Sequence, residues 1–335
     1  MGVRRYVVFG AGAVGGTIGA VLANAGREVA VIARGRHGEV LRERGLTFRQ
    51  PSGTTVVRFA LVAGDPTGVD WRPDDVVVLA MKTQDTTSAV DALADVAPAT
   101  VSLVCAQNGV ENERIVLRRF ADVHGMCVML PASHLEPGVV VAHGAPAPGI
   151  LDVGRAPGGA DATDHQVAAD LTEGGFSSVA QPAILRWKYA KLRMNLGNAF
   201  DAACADTGLM RDVVGRARRE FEACVDAAGI DVASPSEDAE RRGDLMRIAP
   251  VEGHERQGGS SWQSLARGLG SIEADYLNGE VVLLGRLHGV ATPVNAALQR
   301  VARRMAVERR PPRSMAADEM LAEIERAEGE VPQAG

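Results

Sequence analysis

Hydrophobic positions in the first half of the chain come in short unbroken runs, separated by polar or glycine-rich turns. The runs lie at residues 6–9, 28–33, 75–81, 101–105 and 123–129, and they are rich in valine. The run at 75–81, continuous and β-branched, predicts a parallel strand buried on both faces, and the others read as strands of the same sheet. Shorter runs at 139–141 and 150–153 sit among Gly and Pro and predict edge strands and loops. Residues 161–173 predict a helix and 176–180 a closing strand. Beyond Pro182 the period changes to that of helices, at 183–207, 208–228, 236–247, 271–288 and 293–307. A strand-rich half followed by a helical half predicts two domains with a cleft between them. The expected division is 1–181 and 182–308, with a charged tail over 309–335 that is at most a surface helix.

The first run leads directly into Gly10-Ala11-Gly12-Ala13-Val14-Gly15-Gly16 and then into a helix-prone segment. Strand, glycine-rich turn and helix in this order predict a dinucleotide-binding unit. Gly10 permits the tight turn, Gly12 admits a pyrophosphate, and Gly15 lets the helix lie close to the strand. The first N–H groups of that helix suit a diphosphate. The second strand ends in Ala33-Arg34-Gly35-Arg36-His37, without the acidic residue that would accept bonds from a ribose 2′-hydroxyl. A guanidinium there suits a 2′-phosphate, which favours NADP(H), with Arg34 as first choice and Arg36 second. The third and fourth runs end in Lys82-Thr83-Gln84-Asp85 and Gln107-Asn108-Gly109. Carboxyl ends of parallel strands line the ligand crevice, so Lys82 and Asn108 are candidates on the cofactor side.

Composition narrows the picture only by exclusion. The 335 residues are 46% hydrophobic and 23% charged, with a net charge of −6 and 4% aromatic content. That leaves no basic, aromatic-interleaved surface for nucleic acid. No apolar run is long enough for a membrane span, and the first strand starts at once, so a cytoplasmic location is expected. Cys105, Cys127, Cys204 and Cys224 lack CxxC spacing and predict neither disulfides nor a metal site.

In the helical half, Lys191 and Asn195 are four residues apart and share one helix face. Ser260-Ser261-Trp262-Gln263 precedes Ser271-Ile272-Glu273-Ala274-Asp275, where Ser271 suits a helix N-cap and Glu273 its first turn. Gly289-Val290-Ala291-Thr292-Pro293-Val294-Asn295 opens the last long helix with Pro at its first position. Taken singly, each has an ordinary structural reading.

Taken together and in order, these motifs resemble the ketopantoate reductase family (2-dehydropantoate 2-reductases) over about residues 3–307. The resemblance implies an α/β Rossmann-type domain followed by an all-α domain like the C-terminal domain of 6-phosphogluconate dehydrogenase. It implies reduction of a 2-keto acid with NADPH, ketopantoate to pantoate in pantothenate synthesis being the leading case. Gly10, Gly12, Ala13, Val14, Gly15, Arg34 and Lys82 would hold the cofactor, with Asn108 by the nicotinamide and the substrate. Lys191 would be the general acid. Asn195 and Ser261 would bind substrate oxygens, and Glu273 would complete the catalytic set. A second copy of the chain is a candidate partner, as helical second domains in such enzymes often pair. Two positions depart from the family pattern. Ala199 stands where a second asparagine is common, and Trp262 where methionine is common. These departures favour a second reading, a relative reducing a different ketone; a third, a cofactor-binding regulator without turnover, is opposed by the intact Lys191, Asn195 and Glu273.

Overall fold

The computed structural model describes residues 4–206 and 208–330. The chain begins with β1 (Tyr6–Phe9), α1 (Ala13–Asn24), β2 (Val29–Ile32), α2 (Gly35–Arg44), β3 (Leu46–Gln50), β4 (Gly53–Val57) and β5 (Leu61–Ala63). It continues through β6 (Val76–Leu79), α3 (Thr86–Ala94), β7 (Ser102–Cys105), α4 (Asn112–Val116), β8 (Val123–Met129) and β9 (Ala132–Ser133). Next come β10 (Val139–Ala142), β11 (Gly144–Pro146), β12 (Ile150–Arg155), α5 (Ala162–Glu173) and α6 (Ile184–Asn195). The remainder is α7 (Asn198–Ala203), α8 (Met210–Ala227), α9 (Pro235–Arg242), β13 (Met246–Ile248), α10 (Ser260–Ala266), α11 (Asn278–His288), α12 (Pro293–Val307) and α13 (Ala317–Gly329).

These elements form two compact units, one comprising the chain up to Lys188 with Ser234–Arg256, the other Tyr189–Ala233 with the chain from Gln257 onward. The first is built on a seven-stranded sheet in the order β12-β8-β7-β6-β1-β2-β5, parallel except for β12 at one edge. Side chains alternate between its faces, and both faces are dry, as the valine runs require. Tyr6, Val8, Val31, Val76 and Val78 join one core with α1 and α5, while Val7, Ile32, Val77 and Leu79 join another with α3 and α4. Strand order reverses at β1, which has β2 on one side and β6 on the other. The turns after β1, β6 and β7 therefore lie together at the carboxyl edge, where ligands bind such sheets. At the amino edge, the Arg5 guanidinium grips Asp75 through two bonds of 2.9 and 2.6 Å, both side chains buried.

The second unit is helical. α12 packs against α7, α8, α11 and α13, and buries Val294, Leu298, Val301 and Met305 along one stripe.

Several expectations change. The division at 181 gives way to one at 188, and residues 234–256 return to the first unit. Their reason for doing so is polar: Arg241 forks onto Asp152 of β12 at 2.8 and 2.5 Å, and Glu237 pairs with Arg186 at 2.7 and 2.9 Å. β13 also pairs with β11. The helix expected over 236–247 thus stops at Arg242. Residues 176–180 make only isolated bridges to β12 and form no strand. The helix expected over 183–207 breaks at Leu196-Gly197 and resumes as α7; Thr207 itself lies outside the described residues. The stretch 271–288 begins as a short 3-10 turn, Glu273–Tyr276, before α11, with Ile272 rather than Ser271 at its cap. The tail is more than a surface segment as far as residue 330. Met320, Ile324 and Ala327 recur at helical spacing among the charges and are buried in α13 as it packs on α12.

Candidate active site

In the first unit the glycine-rich turn has the tight geometry its sequence demands. Gly10 has φ +97°, and a Cβ there would come within 2.9 Å of the Met81 nitrogen. A Cβ on Gly15 would lie 2.1 Å from the Gly10 carbonyl oxygen. No other residue fits either place. At Gly12, by contrast, a Cβ would meet only His134 Cδ2, at an ordinary contact distance of 3.9 Å. Gly12 is the N-cap of α1; no side chain caps the helix, and its first turn, with Ala13 and Val14, holds no acidic residue. A helix start that no side chain caps fits a diphosphate.

Arg34 is exposed at the cap position of α2, directly after β2. Arg36 is paired with Glu39 at 3.1 Å, whereas Arg34 makes no ion pair among the described residues. Lys82 is half-buried at the cap of the 3-10 turn Thr83–Asp85. The set Gly10, Gly12, Gly15, Arg34 and Lys82 therefore fits a phosphorylated dinucleotide.

A histidine braces the same turn. The Gly138 N–H donates to His37 Nδ1 at 2.9 Å, so Nε2 carries the proton and donates to the Ala11 carbonyl at 2.8 Å. The His134 ring lies 4.3 Å from that of His37. Sequence spacing carries no signal for this brace, because the residues it joins are 101 positions apart. His143 accepts or donates at Ser133 Oγ (3.1 Å) beside a cavity of about 590 Å³ that His254 and Arg256 also line. Burial, with Arg256 and His254 nearby, holds the His143 pKa below the ordinary imidazole value.

After β7 lies a buried polar network. Gln107 Nε2 donates to Thr86 Oγ1, which donates to Asn112 Oδ1, both at 2.8 Å. Asn112 Nδ2 in turn donates to the Asn108 carbonyl at 3.0 Å. Lys188, 2% exposed, donates to the Gln107 carbonyl at 3.2 Å and to the equally buried carboxylate of Glu113. The sequence marked Asn108 and passed over this support.

In the second unit, Lys191 is half-buried and Asn195 buried on the last turns of α6. Asn195 Nδ2 has no acceptor among the described residues. A buried donor left unpaired costs about 1–3 kcal/mol, a deficit that a bound oxygen would remove. Ser261 is buried in the first turn of α10, and Glu273 is buried at the start of its 3-10 turn. Three segments converge on the end of α6. α10 packs on α7, and a Cβ on Gly259 would be 3.8 Å from Asn198 Oδ1. The Asn278 side chain, at the start of α11, donates to the Leu196 carbonyl at 3.1 Å. Because the helix breaks at Gly197, Asn198 starts a new helix beside the Gly259 turn. Ala199 is buried in the same helix, and the Trp262 ring lies against Gly258, where a Cβ would come within 2.3 Å of Cγ.

Asn295 proves to be structural. It is fully buried, accepts from Asn278 at 3.0 Å and donates to the Ala217 carbonyl at 2.9 Å. The Glu220 carboxylate takes the Val294 and Asn295 N–H groups at 2.8 and 2.9 Å, capping α12 from a neighbouring helix. Burial raises the Glu220 pKa against those N–H bonds, which lower it.

Among the described residues one cluster has metal-ligand spacing: Asp122, His124 and Asp161. Arg155 already bridges both carboxylates there, at 2.5 and 2.8 Å. Between the two carboxylates of this cluster the cation is a guanidinium.

A parallel dinucleotide-binding sheet, joined to a helical unit that carries a Lys–Asn–Ser–Glu set, defines a nicotinamide-dependent oxidoreductase. The chain belongs to the ketopantoate reductase PanE/ApbA family, whose N-terminal model matches residues 6–158 and whose C-terminal model matches 184–306. It is 33% identical to a 2-dehydropantoate 2-reductase from Halobacterium salinarum, over 87% of this chain and 95% of that one. The corresponding enzyme from Pyrococcus horikoshii is 28% identical, over 88% and 95%. A PanE/ApbA family ketopantoate reductase structure from Ralstonia eutropha aligns with a TM-score of 0.76 at 26% identity, covering 91% of this chain and 99% of that one. D-mandelate dehydrogenase in a ternary structure with NADH and anilino(oxo)acetate shares the fold, with a TM-score of 0.77 at 22% identity over 91% and 99%.

Proposed function

We propose that this chain reduces 2-dehydropantoate to pantoate with NADPH. The observation that carries the reading is the buried, unsatisfied Asn195 Nδ2 one helical turn beyond Lys191, in a member of this family. The reduced nicotinamide, when bound, supplies the hydride to the keto carbon. Lys191 Nζ gives its proton to the keto oxygen and stabilises the negative charge developing there. Asn195 Nδ2 and the Ser261 hydroxyl donate to substrate oxygens. Glu273 accepts from a substrate hydroxyl or orients the lysine. On the cofactor side, the Gly10–Gly15 turn receives the diphosphate, Arg34 the 2′-phosphate and Lys82 a further phosphate or ribose oxygen, while Asn108 orients the nicotinamide. The reaction would take place in the cytoplasm, in a homodimer that light scattering on the purified chain would reveal.

The test is loss of NADPH absorbance with 2-dehydropantoate and a panel of other 2-keto acids. A kcat/KM of about 10⁴ M⁻¹s⁻¹ or more on 2-dehydropantoate supports the reading. Turnover confined to a bulkier keto acid would instead favour the second reading, a relative with a different substrate, for which Ala199 and the Trp262 ring on Gly258 argue.

A further inference from the structure

Lys188 and Glu113 have no part in the chemistry just described, yet they form a buried ion pair directly behind the Asn108 turn. Both side chains are 2% exposed. All three Lys188 N–H groups are engaged, with the Glu113 carboxylate, the Gln107 carbonyl (3.2 Å) and the Cys105 carbonyl (3.4 Å). The fold makes room for the pair at Gly125 of β8, where a Cβ would lie 3.1 Å from Glu113 Oε1 and 3.3 Å from Lys188 Cδ.

Burying two charges costs several kcal/mol each, and well-packed apolar residues often serve stability as well or better. What apolar residues cannot supply is directional donors to main-chain carbonyls. Here the donors hold the last strand residue and Gln107, and the Asn112 amide holds the next carbonyl, that of Asn108. Gly109 follows at φ +78°. The backbone is thus tied immediately before Asn108 and at Asn108 itself, which fixes the direction of its side chain. Lys188 also belongs to α6, the helix that carries Lys191 three residues later.

We infer that Lys188 and Glu113 are a positioning pair for the reduction, setting the Gln107–Gly109 turn so that Asn108 orients the nicotinamide. The inference rests on the proposed reductase reading. It requires no proton to leave the pair and no group to be transferred.

The experiment compares the full-length wild type with Glu113→Gln and with the double variant Lys188→Met/Glu113→Gln, which leaves no lone buried charge. Melting temperature and circular dichroism report folding, and nicotinamide fluorescence reports NADPH affinity. kcat, KM and the primary isotope effect with 4-deuterated NADPH report the chemical step. For the double variant the expected result is a folded protein that binds NADPH within about tenfold of wild type. Its kcat should fall about 100-fold and its isotope effect should rise, with the substrate KM within about threefold; a misplacement near 1 Å has this scale of effect. A merely structural pair would lower the melting temperature and leave kcat and the isotope effect alone, and that result overturns the inference. If the double variant does not fold, Glu113→Gln decides by the same readouts: a tenfold or greater fall in kcat supports the pair, and an unchanged kcat overturns it. Lys191→Ala run alongside keeps the two readings apart. Should it retain full turnover, or should wild type reduce none of the keto acids, the reductase reading fails by itself. The fluorescence of bound NADPH then still judges the turn, with an altered emission supporting the inference and an unaltered one overturning it.

Discussion

His124 should make this protein lose stability as the solution turns alkaline. The imidazole is fully buried on β8, with Nδ1 2.7 Å from Asp164 and Nε2 3.4 Å from Asp122. The second contact is too long for a good hydrogen bond, and Nε2 has no other partner, so it acts as an ion pair. Burial is the largest single influence and alone would lower the pKa. The two carboxylates together outweigh it and raise the pKa from 6.5 to about 9. The folded state therefore holds the proton more tightly than the unfolded chain. The stabilisation is complete below about pH 6.5 and fades as pH rises through about 9. A change of that size corresponds to about 3 kcal/mol, a large part of the stability of an ordinary domain. Urea unfolding of wild type and His124→Gln across this range is the assay. The gap between them should be widest near pH 6 and narrow by about 3 kcal/mol towards pH 9.5. A constant gap would refute the reasoning, since it would mean that His124 is neutral in the fold and Asp164 merely accepts from a neutral N–H.

Three further outcomes follow from the site. Lys191→Ala should lower kcat by about 10²–10⁴-fold while NADPH binding survives, as steady-state kinetics and fluorescence titration would show. Arg34→Ala should raise the Kd for NADPH by at least tenfold and leave that for NADH within about twofold, since a 2′-phosphate contact with a guanidinium is charge-assisted; equal losses would move that contact to Arg36. Treatment with a chelator should leave both melting temperature and turnover unchanged, because Arg155 already occupies the Asp122–Asp161 cluster.

The first unit was legible in the sequence because local rules govern it. Short valine-rich runs bounded by turn residues read as buried strands, and GxGxxG after the first of them sets a turn where Gly10 and Gly15 leave no room for a side chain. Candidate residues at strand ends were legible for the same reason, since a parallel sheet brings its carboxyl ends together. What could not be read were contacts between residues far apart in the chain with no periodic trace. His37 bracing Ala11 through Gly138, Lys188 reaching Gln107, and Arg241 drawing residues 234–256 to β12 are all of this kind. The helix break at Gly197 was missed for a subtler reason. The polar and apolar spacing on its two sides fits one long helix, and one glycine within such a pattern is a weak stop.

The motif residues that mark the family divide into two kinds according to whether the fold already satisfies them. Asn295 bonds to the Ala217 carbonyl, the Glu220 carboxylate and the Asn278 amide, and so ties α12 to α8 and α11. Asn195, also buried, is left with an amide donor that no acceptor among the described residues takes up. Two buried asparagines of one motif set thus have opposite balances. A folded chain tolerates such a deficit where a ligand makes it good, because an apolar residue of similar size would otherwise cost less. That balance is what the proposed role of Asn195 beside Lys191 rests on. Asn295, which closes the Gly289–Asn295 motif, belongs to the scaffold of the helical unit.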